Sequence, residues 1–203
     1  MRIWADNCSP LLGICVANFT ITISLVFRPG EGKEQSGILK KGIGGEMAII
    51  LVGVVAGVLG TLVMDALNSL FSRAGVISKI EIGMLGRMSA GWSKGRLLYR
   101  HPDEIKPVAN EKLLGYITHY SIGVGLAVIY MLGWDFLVGG PASAIWAIVY
   151  GIATTVASHF LVYPSMGLGV FGRKSPEGLK STFSSLANHM FFGVGMAIAF
   201  AIL

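Results

Sequence analysis

Residues 47–71 read MAIILVGVVAGVLGTLVMDALNSLF, an apolar run of 25 residues in which Asp65 carries the only charge. About 20 apolar residues in a helix are enough to span the hydrocarbon core of a bilayer. This run therefore predicts a membrane-spanning helix that contains one carboxylate.

Four more apolar runs indicate an integral membrane protein rather than a soluble one. They cover residues 11–27, 113–133, 142–163 and 182–203. The 203-residue chain is 53% hydrophobic and 13% charged, with a mean hydropathy of +0.68, whereas a soluble domain carries about 25% charged residues. The sequence predicts an all-α, polytopic transmembrane bundle of four core helices in two tandem hairpins, with a possible N-terminal fifth helix.

Residues 1–46 form an N-terminal extension of doubtful status beside the single transmembrane domain predicted for residues 47–203. The run at 11–27 is short, and the basic residues that follow it would lie outside the cell in the orientation argued below. Either the native protein begins at Met47 or the run forms a fifth helix with an unusual outer loop. Cys8 and Cys15, seven residues apart, match no zinc spacing and no disulfide framework.

Lysine and arginine predict the orientation of the domain. Residues 73–112 contain eight of them and residues 164–181 contain three, whereas the turn at 134–141 contains none. Because basic loops stay on the cytoplasmic side, both basic segments are predicted to face the cytoplasm and the turn to face outward. The formal net charge of +5 then reflects topology, and we expect no nucleic-acid partner.

Small and polar residues at four-residue spacing indicate an internal duplication. Gly57 and Thr61 correspond to Gly151 and Thr155 at an offset of 94 residues, and the other two helices match at an offset of 70. The longer match aligns His119-x3-Gly123-x-Gly125-x-Ala127 with His189-x3-Gly193-x-Gly195-x-Ala197. Two hairpins of the same orientation would be related by a pseudo-twofold axis along the membrane normal.

A layer of polar side chains is predicted inside the membrane. From the helix rise, Asp65, His119 and His189 lie at similar depth in the cytoplasmic third of the bundle, with Thr61 one turn from Asp65. A carboxylate at this depth is costly unless it is paired or solvated. We therefore expect Asp65 to contact the two imidazoles.

Three interpretations of this layer stay open. The side chains could only join helices by hydrogen bonds, they could conduct protons or ions, or Asp65, His119 and His189 could bind a metal ion. No two of these three lie four residues apart on one helix, so the spacing gives metal binding no support.

The segment at 73–112 mixes basic residues with apolar ones such as Leu85 and Met88. This composition is typical of a segment that lies on an anionic leaflet, so we expect anionic lipids to contact the loop. As an alternative, Arg87, Arg96, His101 and Glu111 could line a pocket for an anionic ligand.

A series of short motifs runs from Met47 to the C-terminus. It includes Gly57-x2-Gly60-Thr61-x2-Met64-Asp65, Gly86-Arg87, Gly95-Arg96, His101, Glu111, Leu114-Gly115-Tyr116-x2-His119-Tyr120, Pro164-x-Met166-Gly167-x-Gly169 and His189-x2-Phe192-Gly193-x-Gly195. The series resembles a bacterial inner-membrane family catalogued as domain of unknown function twenty-nine thirty-eight. The resemblance implies a small, multi-pass, four-helix inner-membrane protein without an established activity. The chain departs from the family pattern at Met88, Tyr116 and Ser158, and His159 has no counterpart in it.

Three functions fit these observations. The first is movement of a small solute or ion through a homo-oligomer, because four helices leave little room for a pathway inside one subunit. The second is a structural or partner-binding membrane protein, and the third is a metal protein or enzyme that uses Asp65 and the histidines. The sequence contains no nucleophile–base constellation, phosphate loop or nucleotide motif. We therefore lean against an enzyme, and the sequence identifies no cofactor.

Overall fold

The computed structural model describes residues 43–203, and the regular secondary structure of this range is helical. Four of its helices are long and apolar enough to cross a membrane, which confirms the predicted membrane bundle. The predicted helix at 11–27 and both cysteines lie outside the described residues.

The helices begin and end close to the predicted borders. α1 covers Ile43–Arg73, α3 covers Glu111–Leu137, α4 covers Ala144–Ala157 and α5 covers Leu179–Ile202. A short helix, α2, covers Ile82–Trp92 in the basic loop between α1 and α3.

The end of α4 is irregular. The chain makes a π-helical turn at Ser158–Val162 and one further helical turn at Tyr163–Ser165. Pro164 explains the change, because proline has no N–H and its ring clashes with the carbonyl four residues earlier, that of Phe160. The wider turn, in which the Tyr163 N–H bonds to the Ser158 carbonyl, relieves this clash without ending the membrane span.

Glycines set the closest helix contacts. A Cβ atom on Gly57 would lie 2.5 Å from the Cα of Val124, and a Cβ atom on Gly151 would lie 2.7 Å from the Cα of Gly193. The backbones of α1 and α3, and those of α4 and α5, therefore nearly touch. Small residues permit this close packing, which holds helices together in lipid.

The bundle is closed on one side and open on the other. α1 packs along α5, where a Cβ atom on Gly195 would lie 2.7 Å from the Cα of Gly60. α3 and α4 follow each other in the chain but hardly touch. This gap between α3 and α4 creates the site described below.

The short helix α2 packs on the beginning of α3. Gly86 lies so close to the Glu111 carbonyl that a side chain at this position would overlap it. Leu85 and Met88 are buried in a small core with Met166. Ile105 belongs to the same core, so these two side chains do not face the surface of the bundle.

The two ends of the bundle differ in charge. All eleven Lys and Arg residues within 43–203 lie in the segments 73–112 and 164–181. These segments meet at one end, where Lys174 Nζ donates to the Arg100 carbonyl at 2.7 Å. We call this the basic end, and we call the opposite end, where residues 138–143 join α3 to α4, the turn end.

Candidate functional site

Asp65 joins α1 to α3 within the membrane-spanning region. Its Oδ1 lies 2.9 Å from His119 Nε2, and its Oδ2 accepts a 3.2 Å hydrogen bond from the Tyr120 hydroxyl. The side chains of Asp65 and His119 are 26% and 11% exposed. The carboxylate is therefore paired on both oxygens, as its depth requires.

His189 bonds to a different partner from the one we expected. Its Nδ1 lies 2.8 Å from Thr154 Oγ1, and Thr154 Oγ1 donates to the Gly151 carbonyl at 2.6 Å. Asp65 contacts only one of the two predicted imidazoles, because His189 faces α4 rather than α1. The repeat contained this signal, since it pairs α5 with α4 in the way that it pairs α3 with α1.

Thr61 belongs to a helix contact rather than to a binding site. It is fully buried, and its Oγ1 donates to the Gly57 carbonyl at 2.8 Å. Gly123 of α3 lies directly against this hydroxyl. Thr61 therefore stabilises the packing of α1 on α3.

A cavity of about 720 Å³ lies between α3 and α4. It extends from the loops of the basic end, at Lys79 and Glu177, to Leu126 in the middle of α3. Most of its wall is apolar, and the polar side chains at membrane depth include His119, Thr154, Ser158, Ser184, Ser185, Asn188 and His189. Asp65 does not line the cavity and acts on it only through His119.

One face of α5 supplies much of the polar wall. Ser181, Ser184, Ser185, Asn188 and His189 follow helical spacing, and all five line the cavity. Of these five residues, only His189 was predicted as a site residue from the sequence. A signal was present, because Ser181, Ser184 and Asn188 extend the same face at intervals of three and four residues.

Two tyrosines join α3 to α4 on the turn-end side of the cavity. The Tyr130 hydroxyl donates to the Ser143 carbonyl at 2.8 Å, and the Tyr150 hydroxyl donates to the Leu126 carbonyl at 2.9 Å. Their ring centroids lie 5.2 Å apart, and Tyr130 also stacks on Phe200 at 5.6 Å. The first hydrogen bond links α3 to the N-cap residue of α4, and the second links α4 to α3. We call Tyr130 and Tyr150 the tyrosine latch.

A second interhelical polar contact, which the sequence analysis missed, joins Asn68 to Asn188. Asn68 Nδ2 donates to Asn188 Oδ1 and to the Ser78 carbonyl, both at 3.0 Å, and Asn68 Oδ1 accepts from the Ile80 N–H at 3.3 Å. Ser78, Ile80 and Asn188 all line the cavity. Asn68 therefore fixes the part of the cavity wall formed by this loop to α1 and α5.

The four residues singled out in the basic loop are not gathered in one pocket. Arg87 Nε and Nη2 donate to the two carboxylate oxygens of Glu111 at 2.6 and 2.8 Å, and this bond raises the pKa of Arg87 above its ordinary value. Arg96 pairs with Glu104 at 2.7 Å, and His101 is exposed. Arg87 and Glu111 thus tie α2 to α3 through a bidentate ion pair.

His159 lies in the π-helical turn and is buried. Its ring centroid lies 5.4 Å from that of Tyr163 and 5.1 Å from that of Phe171. Its Nε2 has no hydrogen-bond partner among the described residues. His159 is not part of the cavity wall, and its contacts are those of a packed side chain.

Within residues 43–203, no three His, Cys, Asp or Glu side chains are placed to hold a metal ion. The candidate ligands Asp65, His119 and His189 are divided between two hydrogen-bonded groups, one at the α1–α3 contact and the other at the α4–α5 contact. Metal binding by these three therefore finds no support in their geometry.

Most of the chain carries the sequence pattern of one protein family. The sequence profile of a family described as "protein of unknown function (DUF2938)" matches residues 54–203, about three quarters of the chain. The chain belongs to this family. The match confirms the resemblance read from the motifs that begin at Gly57. Searches among curated proteins and among solved structures find no match to the chain.

Proposed function

We propose that this protein binds a small solute inside the membrane and moves it through the cavity between α3 and α4. The observation that carries the proposal is the cavity, which has polar groups at membrane depth, reaches the loops of the basic end and lies next to the tyrosine latch on its turn-end side. Sites for small molecules are mostly apolar with a few placed polar groups, and they occupy about 300–1,000 Å³. The cavity has this composition and size.

One chain is enough for this pathway. We expected a homo-oligomer because four evenly packed helices enclose little space. The separation of α3 from α4 instead leaves about 720 Å³ within a single chain. Assembly into a homo-oligomer is therefore a separate proposal, which native mass spectrometry of the purified protein addresses.

In this proposal the solute enters the cavity from the cytoplasm of a bacterial cell, and the protein lies in the inner membrane. Within residues 43–203, eleven basic residues lie near the basic end and none lies near the turn end, which fits the positive-inside rule. Exposed basic side chains without an ion-pair partner among the described residues support contact with anionic lipid head groups. They include Arg73, Lys79, Lys94, Lys106 and Lys112.

The pairing of the helices supports movement of the two hairpins as units. Gly57 packs on α3 in the way that Gly151, 94 residues later, packs on α5. If the hairpins are repeats, the closed α1–α5 contact is the counterpart of the open gap between α3 and α4. Rocking of one hairpin against the other about the α1–α5 contact would widen and narrow this gap, as repeats do in known transporters.

Several polar side chains inside the membrane form hydrogen bonds between helices. The bonds from Asp65 to His119 and Tyr120, and the bond from Asn68 to Asn188, each join two helices. Such bonds stabilise membrane bundles by about 0.6 kcal/mol on average. This structural function is compatible with the proposed transport, because His119 and Asn188 also line the cavity.

The proposal is tested by the reactivity of a cysteine in the cavity. Leu126→Cys is introduced in a variant whose Cys8 and Cys15 are replaced by serine. An uncharged, sugar-linked thiol reagent that does not cross the membrane is then added to either face of oriented vesicles. We expect Leu126→Cys to react from the cytoplasmic face only, because in this proposal the cavity opens at the basic end and the tyrosine latch closes the other end.

Three control positions make the result interpretable. Ser93→Cys in the basic loop should react only from the cytoplasmic face, and Gly140→Cys in the turn should react only from the outer face. Ile129→Cys lies on α3 near Leu126, but the native side chain is 61% exposed on the bundle surface, so it should react from neither face. If Leu126→Cys reacts as slowly as Ile129→Cys, or only from the outer face, the proposed pathway is wrong.

A further inference from the structure

His119 presents one ring nitrogen as a hydrogen-bond acceptor. An ionised carboxylate only accepts hydrogen bonds, so Asp65 Oδ1 accepts the proton on His119 Nε2, 2.9 Å away. The Tyr120 hydroxyl bonds to the second carboxylate oxygen. In the neutral imidazole, Nδ1 then carries a lone pair and no proton. No group within the described part of the chain bonds to this nitrogen.

His189 presents its other nitrogen for a similar reason. Thr154 has one hydroxyl proton, and its 2.6 Å contact with the Gly151 carbonyl uses that proton. Thr154 Oγ1 must then accept a hydrogen bond from His189 Nδ1, 2.8 Å away. Nδ1 therefore carries the ring proton, and Nε2 is the acceptor. Nothing in residues 43–203 occupies it.

Both histidines belong to the cavity wall, and neither of the two free nitrogens is sealed in the protein interior. Within residues 43–203, the sealed side-chain polar atoms that lack a partner belong to Thr155, His159 and Ser165. Neither His119 nor His189 is in that group, so their free nitrogens have open space beside them.

We propose that the solute is an uncharged amphiphile with two hydrogen-bond donors, which bind to His119 Nδ1 and His189 Nε2. This inference rests on the proposed function and assigns its solute to a chemical class. A solute without donors would remove water from two acceptors and leave them unpaired. A site built for hydrogen bonds rejects such analogues for this reason.

The charge distribution in the wall explains why the solute is uncharged. The charged side chains among the lining residues are Lys79, Glu81 and Glu177, and all three lie in the loops of the basic end. Deeper in the membrane, the wall consists of apolar residues such as Met64 and Phe192 together with hydroxyls, Asn188 and the imidazoles. A charged solute would lose its hydration there without gaining a counter-charge.

Two probes of nearly equal shape test this inference. 4-Hexylresorcinol carries two O–H donors on an apolar body, and its dimethyl ether carries none. Binding to the full chain in lipid nanodiscs is measured by equilibrium dialysis, and empty nanodiscs give the partition of each probe into lipid. We expect the diol to bind about ten- to hundredfold more tightly than the ether, which corresponds to about three- to tenfold for each hydrogen bond.

Three variants test whether the preference for the diol over the ether depends on the cavity and on His189. His189→Phe keeps a planar ring and leaves Thr154 bonded to Gly151, so it should lower the preference for the diol about three- to tenfold and leave binding of the ether unchanged. His159→Phe alters a buried histidine outside the cavity wall and should preserve the preference. Leu126→Trp narrows the cavity at its inner end and should block saturable binding of both probes.

The outcomes separate this inference from the proposed function. If both probes bind equally well and Leu126→Trp blocks both, the cavity accepts a solute, but the two-donor assignment is wrong. If His159→Phe lowers the preference as much as His189→Phe does, the assignment to His189 is wrong. If neither probe binds saturably, the assignment to uncharged amphiphiles is wrong, while the cysteine reactivity at Leu126 still decides the proposed pathway.

Discussion

Gly57→Leu should separate α1 from α3 and prevent the protein from folding stably, whereas Gly125→Leu should be tolerated. A Cβ atom on Gly57 would lie 2.5 Å from the Cα of Val124 and 2.9 Å from the Gly123 carbonyl oxygen. These are backbone atoms, so the clash can be relieved only by moving a helix. We expect a loss of more than about 3 kcal/mol in the free energy of unfolding, above the usual cost of overpacking.

Gly125 provides the matched control because it lies on the facing helix at similar depth. No atom lies within 4 Å of a Cβ placed on it. Leucine is also a better helix former than glycine by nearly 1 kcal/mol in water, so Gly125→Leu should unfold at or above the temperature of the unmodified protein. Thermal unfolding in detergent measures both variants. Equal stability of Gly57→Leu and Gly125→Leu would contradict the close contact of α1 with α3.

Asp65→Asn should reverse the position of the proton on His119. The Tyr120 hydroxyl donates to Oδ2 of Asp65, so in the variant it should keep the amide oxygen on its own side. The amide NH₂ then faces His119 and donates to Nε2, which moves the ring proton to Nδ1. The acceptor that His119 offers to the cavity becomes a donor, and the preference for a two-donor solute should fall.

Nitrogen-15 NMR of histidine-labelled protein reads the proton position directly from the shifts of Nδ1 and Nε2. Thermal stability should change little, because one interhelical bond replaces another and such bonds contribute about 0.6 kcal/mol. Adding Tyr120→Phe to Asp65→Asn frees the amide to turn and should restore the proton to Nε2. Unchanged nitrogen shifts in Asp65→Asn would show that the carboxylate does not set the tautomer of His119.

The membrane fold could be predicted because the bilayer imposes a length and a composition on each span. The runs at 47–71, 113–133, 142–163 and 182–203 each correspond to a helix, although the helix at 142–163 ends in a π-helical turn. Burial of α2 could not be predicted. An amphipathic segment has the same pattern whether it covers lipid or the first turns of another helix.

The candidate site could be predicted only in part. The depth of Asp65 and His119 along their helices predicted their contact, because α1 and α3 are antiparallel neighbours. The partner of His189 depends on the rotation of α5 about its axis, which packing on Gly151 and Gly60 determines. The cavity depends on the separation of α3 from α4, which arises from packing of the whole bundle rather than from any single run of residues.

The central claim is that α3 and α4 open at one end while they close at the other, so that a solute can pass. Pairs of spin labels at exposed positions measure both ends in lipid vesicles. Ile117 and Leu161 report on the half of the gap nearer the basic end, and Phe136 and Ile145 report on the turn end. Double electron–electron resonance then gives the distance distribution of each pair.

We predict two populations, a major one with the turn end closed and a minor one with the turn end open and the basic end narrowed. The double variant Tyr130→Phe and Tyr150→Phe removes both hydrogen bonds of the tyrosine latch. At about 0.6 kcal/mol for each bond, it should increase the minor population about eightfold. A single narrow distribution at both ends that stays the same in the double variant would contradict the account.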